Sequence, residues 1–353
     1  MPITASSVSR FFGMEGSTVE RYYKNYLSGY REWNARGHAD EWMLIPENLR
    51  PECSIDETKL TDEVYTILSN KTGHGGKHSI IAVVKGTKAA TVSAIINKIP
   101  LQDREKVTDI TMDFSDSMQL IAESCFPNAK ITIDCFHVIQ RLCEGLEELR
   151  LKEKREAATE NKRAEREFRQ NEEKKARQRA YYRKSHKKNS KEMRGRKRIR
   201  KKAYRPAILS NGDTEVELLT RAKYILPQTA DKWSAGQQER ARLLFGKHPK
   251  IKEAYALISS VRCIFRDKDL SRDHAKVQFH QWYNEVSACT LREIKSARDC
   301  IKSKEEEVLN YFSQHLTNAS AESLNAKIKG FKAQLHGVTD ISFFMFRLYK
   351  IFG

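Results

Sequence analysis

No apolar run in these 353 residues approaches the 18 or so that a membrane span needs, and the opening Met-Pro-Ile-Thr has no basic region followed by an apolar core. A soluble, unexported, cytoplasmic protein is expected. The seven cysteines (Cys53, Cys125, Cys135, Cys143, Cys263, Cys289, Cys300) are odd in number and include no C-x-x-C pair. That excludes a disulfide framework and a zinc ribbon and fits reduced thiols. No internal repeat is present. Asp is absent between Arg150 and Arg205, where 25 Lys or Arg stand against 8 Glu, so this stretch holds a surplus of 17 of the chain's net +18. Such a surface calls for a polyanion or an acidic membrane face. The stretch is also Gly-poor and dominated by Glu, Lys, Arg and Gln, which predicts a long solvated helix or a partly disordered arm. At roughly 100 to 200 residues per domain, the length allows two or three domains.

What is present divides into helices at the front, a mixed region and a helical remainder. Residues 5 to 25 read as helix, turn, helix: a stretch ending Ser9-Arg10-Phe11-Phe12, then Gly13-Met14-Glu15-Gly16, then Ser17 as N-cap with Glu20 completing a capping box. Such a pair can lay its second helix in a major groove, with Arg10 and Arg21 as the basic contacts. Strands are expected over Cys53–Asp56, Val64–Leu68 and His78–Val84, the last after the turn Gly73-His74-Gly75-Gly76. A helix follows over Thr87–Ile99, then a strand over Val107–Phe114, a helix over Ser115–Phe126 and a strand over Lys130–Cys135. Three antiparallel strands followed by alternating helices and strands is the order of an RNase H-like core. Beyond it, Leu218–Phe245, Pro249–Phe265, His274–Ser287, Thr290–Leu316 and Glu322–Phe331 carry helical spacing, and another helix is expected after Gly337.

The fold class is therefore α/β, an RNase H-like mixed sheet with a large all-helical insertion and an N-terminal helix-turn-helix-like segment. The expected divisions are residues 1–48, a helical DNA-binding segment; 49–150, the first part of the core; 151–316, the basic arm and helical insertion; and 317–353, helices that complete the core.

Two aspartates stand out within the strands. In Asp109-Ile110-Thr111-Met112-Asp113-Phe114 the apolar residues take one face, which leaves Asp113 on the other at a strand end. Asp56 likewise lies opposite Ile55. If the two strands are neighbours the carboxylates converge, and paired carboxylates suit Mg²⁺, a hard cation that keeps waters for a phosphate substrate. A third carboxylate on a helix would complete a two-metal site for phosphoryl transfer. Strand-end aspartates also begin turns or cap helices, a role open to Asp113 just before Ser115.

Seven stretches in order (Ser54-Ile55-Asp56-Glu57-Thr58, Tyr65 to Lys71, Ala82 to Thr87, Thr111-Met112-Asp113-Phe114, Phe126-Pro127-Asn128-Ala129, Ile133-Asp134-Cys135-Phe136-His137-Val138 and Thr317 to Lys329) resemble bacterial insertion-sequence transposases of the ISL-three family. The resemblance covers nearly the whole chain. It implies a DDE transposase that cleaves and transfers DNA strands at insertion-sequence ends, using Mg²⁺ with Mn²⁺ as a substitute. The alternatives are a catalytically silent or truncated DNA-binding protein of the same fold, or a nuclease without strand transfer. Carried onto this chain, the catalytic and metal-binding residues are Asp56, Asp113 and Glu322, with Glu57 able to replace Asp56 in another strand register. Asn325 and Lys329 share the helix face of Glu322, and Lys329 is placed to hold a DNA phosphate. Further DNA contacts are expected from His137, which could instead orient an acidic ligand or be a buried histidine satisfied by hydrogen bonds, and from Lys187, Lys188, Arg196, Lys197 and Arg198 of the arm. Cys135 stands where relatives often carry a basic residue. Relatives often begin with a cysteine-bearing zinc-binding segment, whereas the first cysteine here is Cys53, so the resemblance implies that recognition of the transposon ends needs a missing segment or a second polypeptide carrying it; a homo-oligomer on DNA in a bacterial, nucleoid-associated setting is expected.

Overall fold

Six strands form one mixed sheet in the order β1-β4-β3-β2-β5-β6 in the computed structural model, which describes residues 5–60, 62–185, 202–335 and 338–353. The strands are β1 (Trp42–Leu44), β2 (Glu52–Lys59), β3 (Val64–Asn70), β4 (Ile80–Lys85), β5 (Asp109–Met112) and β6 (Lys130–Ile133). The meander β2-β3-β4 is antiparallel, and β5 and β6 then add in parallel beside β2. The run Ile80-Ile81-Ala82-Val83-Val84 is buried throughout, as a strand covered on both faces requires. β1 lies in a stretch expected to be helical. Its three residues are too few for alternation to register in the sequence, yet Met43 is buried and the strand closes the free edge of β4.

The chain divides into two units, residues 1–138, 265–278 and 301–353 in the first and 139–264 and 279–300 in the second. In the first unit the helices are α1 (Ala5–Phe12), α2 (Gly16–Tyr22), α3 (Ala89–Ile96), α4 (Leu101–Arg104) and α5 (Asp116–Cys125), followed by the start of α6 (Cys135–Ser185). In the second unit are α7 (Glu215–Ala222), α8 (Ala235–Lys247) and most of α9 (Pro249–Arg266), α10 (Arg272–Ala288) and α11 (Arg292–Ser303). The chain then returns to the first unit as α12 (Glu305–Leu309), α13 (Tyr311–Gln314), α14 (Ala319–Gln334) and α15 (Ile341–Phe352). Leu324 and Ile328 of α14 and Phe344, Met345, Leu348 and Phe352 of α15 pack with Met43, Tyr65, Ile67, Ile80 and Val83 into one core. The helix that carries Glu322 is thereby bolted to the sheet.

Several boundaries differ from the sequence expectation. Gly13 ends α1 in the left-handed region (φ +62°), and α2 begins at Gly16 with Glu15, not Ser17, at the cap position. Ser17 therefore lies inside the helix, its hydroxyl donating to Glu15 Oε2 at 3.4 Å, and the Ser17/Glu20 capping box does not form. The expected helix over Leu218–Phe245 is broken between α7 and α8, where Pro227 lacks the N–H that a continuous helix needs. The one over Thr290–Leu316 breaks at Lys304 (φ −124°, ψ 34°), whose ammonium reaches Asp116 at 2.7 Å.

The basic stretch begins as part of α6, a continuous helix of 51 residues. It is not uniformly solvated. Arg150 is buried, paired with Glu147 and donating from Nη1 to Leu219 O at 2.6 Å, so it serves the core of the second unit. Farther along, the helix is exposed, and Tyr204 ties the returning chain to it by a 2.7 Å bond to Asn161 Oδ1. Lys187, Lys188, Arg196, Lys197 and Arg198 lie outside the described residues. Among the described residues no helix is long and apolar enough to cross a membrane.

Candidate active site

Parallel pairing sets Ser54 of β2 opposite Thr111 of β5. Two residues further along each chain, Asp56 comes level with Asp113, which lies just past the end of β5. Because side chains alternate along a strand, the burial of Ile55 leaves Asp56 on the opposite face. Asp56 Oδ1 accepts the Glu57 N–H at 2.7 Å, and Oδ2 accepts Asn325 Nδ2 at 2.7 Å. Asp113 Oδ1 accepts the Phe114 N–H and faces His137 Nδ1 at 3.0 Å. The capping role open to Asp113 in the sequence is taken by Ser115, whose hydroxyl accepts from Met118 N at the start of α5.

Glu322 reaches this end of the sheet through α14, which is clamped at three places. Asp134, buried just beyond β6, accepts the Asn318 N–H on Oδ2 and the Phe136 N–H on Oδ1 at 2.8 Å. One carboxylate thus fixes the starts of both α14 and α6, satisfying N–H groups that helix ends leave unpaired. The turn after β3 supplies the other clamps: Lys71 O accepts from Ser320 Oγ at 3.2 Å and Gly75 O from Lys327 Nζ at 2.7 Å. Gly75 is the residue this contact needs, since its φ is +66° and a Cβ there would fall 2.8 Å from Leu324 N. Within α14, Glu322 is exposed in the first turn, and Asn325 one turn later is buried against Asp56.

The electrostatics follow from this packing. Burial pushes the Asp56 carboxyl above the ordinary range, and although the Glu57 N–H and His137 oppose this, Asp113 and Glu322 each add to the rise. Burial likewise raises Glu57, with Asp56 and Asp113 adding. For Asp113, burial works in the same sense but is outweighed by the hydrogen bond and charge of His137, and its carboxyl is held low. His137 is the reciprocal case. Burial disfavours its cation, yet Asp113, Asp134 and Asp56 together raise it above the ordinary imidazole value. Lys71, buried with its Nζ on Thr111 Oγ1 at 2.7 Å, is lowered by burial against the pull of Glu52, Asp109 and Asp134.

The donors that meet here are carboxylate oxygens, the chemistry a hard divalent cation selects. Among the described residues no three His, Cys, Asp or Glu side chains close into a finished metal group. Instead two strand-end aspartates lie level, and Glu322 is near enough for its charge to be felt at Asp56.

Of the other residues singled out in the sequence, Lys329 is exposed on α14, and Arg10 and Arg21 are exposed on α1 and α2. Asn325, expected among the DNA contacts, is instead turned to Asp56. Burial, reinforced by Asp134, pushes the Cys135 thiol up to about 12, so it stays neutral and offers a phosphate no charge. The clamps at Lys71, Gly75 and Ser320 went unread in the sequence, where Gly73-His74-Gly75-Gly76 signals a turn but not the helix that the turn touches.

The family model for ISL3-type DDE transposases, described as a transposase, matches residues 53–348. No curated protein and no solved structure gives a match.

Proposed function

The chain belongs to the ISL3 transposase family, and from that premise we propose that it cleaves and joins DNA strands at insertion-sequence ends, with Asp56, Asp113 and Glu322 as the ligands of divalent cations, Mg²⁺ or in its place Mn²⁺. The observation that carries this reading is geometric: Asp56 and Asp113 lie level at neighbouring strand ends, and Asn325, one turn after Glu322 on α14, donates to Asp56 Oδ2 at 2.7 Å. The strand order, a three-stranded meander with two parallel additions, supports an RNase H-like core, with β1 as an added edge.

Bound divalent ions would neutralise charge on the phosphate and on the attacking and leaving oxygens. The chain's own residues have separable tasks. Asn325 fixes Asp56 Oδ2 and so ties the strand ligand to the helix of Glu322. His137 holds Asp113 Oδ1, leaving Oδ2 as the oxygen to offer. Asp134 anchors the helix that positions Glu322. Lys329, seven positions beyond Glu322 and exposed, meets a DNA phosphate. The exposed basic residues of α6 add affinity that does not depend on sequence, through counterion release.

The test is an assay of labelled duplexes carrying the ends of the encoding element, with Mg²⁺ or with chelator. Wild type should cleave and join only with the cation, and Asp113→Asn and Glu322→Gln should bind the duplex without doing either. Cleavage by wild type without joined product would identify a nuclease, and binding without cleavage a silent DNA-binding protein.

A further inference from the structure

Phe136 has no part in the tasks above, yet the residue is 58% exposed at the candidate site. Its backbone is firmly placed. The N–H donates to Asp134 Oδ1 at 2.8 Å in the first turn of α6, so the direction of the side chain is set by the same carboxylate that anchors α14. Among the described residues its ring contact is with His137, edge to face, with centroids 5.4 Å apart and planes at 82°. His137 Nδ1 in turn lies 3.0 Å from Asp113 Oδ1.

These two contacts in series leave the ring within about 10 Å of a candidate metal ligand, a span of about three nucleotides at roughly 3.4 Å of rise each. A strand whose phosphate lies at Asp56 and Asp113 and which runs toward the start of α6 brings a base to this ring. A phenyl ring has no hydrogen bond to offer and no charge for a phosphate. It has a π face, on which any base can stack regardless of sequence. The geometry points to a stacking platform: Phe136 receives one nucleobase, freed from its duplex neighbour, within about three nucleotides of the phosphate at Asp56 and Asp113. The inference rests on the functional reading above and adds to it a contact with the base, where the other residues contact phosphate or hold ligands.

The test compares wild type, Phe136→Ala and Phe136→Trp as full-length chains on the duplexes used above, with a single abasic nucleotide moved through the three positions on each side of the scissile phosphate. Phe136→Ala should cleave the intact duplex about 5- to 150-fold more slowly, the range that loss of one base–aromatic stack gives, and Phe136→Trp should recover the wild-type rate. At one abasic position the wild type should fall to the rate of Phe136→Ala while that variant loses nothing more. Non-additivity of this kind marks a direct partner, which a general loss of structure would not produce. In a second arm, 2-aminopurine at that position, bound with Ca²⁺ in place of Mg²⁺, should be quenched by wild type and not by Phe136→Ala. Equal cleavage by wild type and Phe136→Ala, or additive losses at every abasic position, would overturn the stack and leave the functional reading standing. A wild type that binds without cutting sinks that reading, and the quenching arm then decides the stack alone; failure to bind these duplexes at all removes both.

Discussion

At the end of the sheet charged groups are fixed by specific partners: Asp134 by the N–H groups at two helix starts, Asp56 by Asn325 and Asp113 by His137, while Gly75 packs against the backbone of α14. Along the exposed part of α6 charge is held differently. Arg163 pairs with Glu167, Arg169 with Glu165 and Lys175 with Glu172, all within one turn of the same helix and in water. In the first region the position of each charge matters and few can be exchanged. In the second the total matters, because each solvated pair contributes only a few tenths of a kcal/mol and screening blurs their positions. A single substitution should therefore be decisive at the sheet and graded on the arm.

The largest effect is expected at Asp113. Asp113→Asn should slow strand cleavage by on the order of 10³-fold or more while leaving duplex affinity within a small factor, since it removes charge from the reacting centre and little packing. Undiminished cleavage with Mg²⁺ would exclude it as a ligand. Next comes Asp134→Ala, which leaves the buried N–H of Asn318 and the half-buried N–H of Phe136 without their acceptor and should cost about 2–4 kcal/mol in chemical denaturation, with activity lost through the displaced helix of Glu322. A cost below about 0.5 kcal/mol would mean the clamp is ornamental. On the arm, Lys174→Gln with Arg177→Gln, both exposed, should flatten the slope of log K against log[salt] by about 2. The same change spread over any two exposed basic residues of α6 should act alike, and dependence on which two are chosen would break the contrast with the sheet.

A smaller effect carries a sign. Burial raises the Asp56 carboxyl in the folded chain, with Asp113 and Glu322 adding, so the fold favours its protonated form. Its contribution to stability is present below the ordinary carboxylate range and is lost as pH rises through the raised value. In chelator at neutral pH, Asp56→Asn should therefore raise the melting temperature, by roughly 2–4 °C for each kcal/mol relieved in a unit of this size. The gain should vanish as pH falls below the ordinary range. Smallest of all, Arg163→Ala should change stability by no more than about 0.5 kcal/mol.

The same contrast decides what the sequence could reveal. The three-stranded meander, the parallel strands after it and the placement of Asp56 beside Asp113 were legible, because alternation fixes faces and strand order fixes neighbours. The coupling to Glu322 was legible only through the family resemblance, since 209 positions separate it from Asp113 and no periodicity spans that distance. Contacts made by backbone or by turns were hidden: Gly75 under Leu324, Asp134 on the Asn318 N–H, and the three-residue strand at Trp42. Composition marked the arm as charged but did not single out Arg150, whose burial depends on Glu147 one turn earlier and on a carbonyl 69 positions away.

Asp56, Asp113 and Glu322, as proposed, share divalent cations. Replacing Mg²⁺ by Fe²⁺ on the DNA-bound protein, with ascorbate and peroxide, generates hydroxyl radicals that cut the polypeptide beside the bound ion. Mapping the cuts is the most direct test. With the cations shared in this way, the cuts should cluster near residues 56, 113 and 322, be suppressed by excess Mg²⁺ and be absent in Asp113→Asn. Cuts confined to other segments, while the same preparation remains active with Mg²⁺, would contradict it.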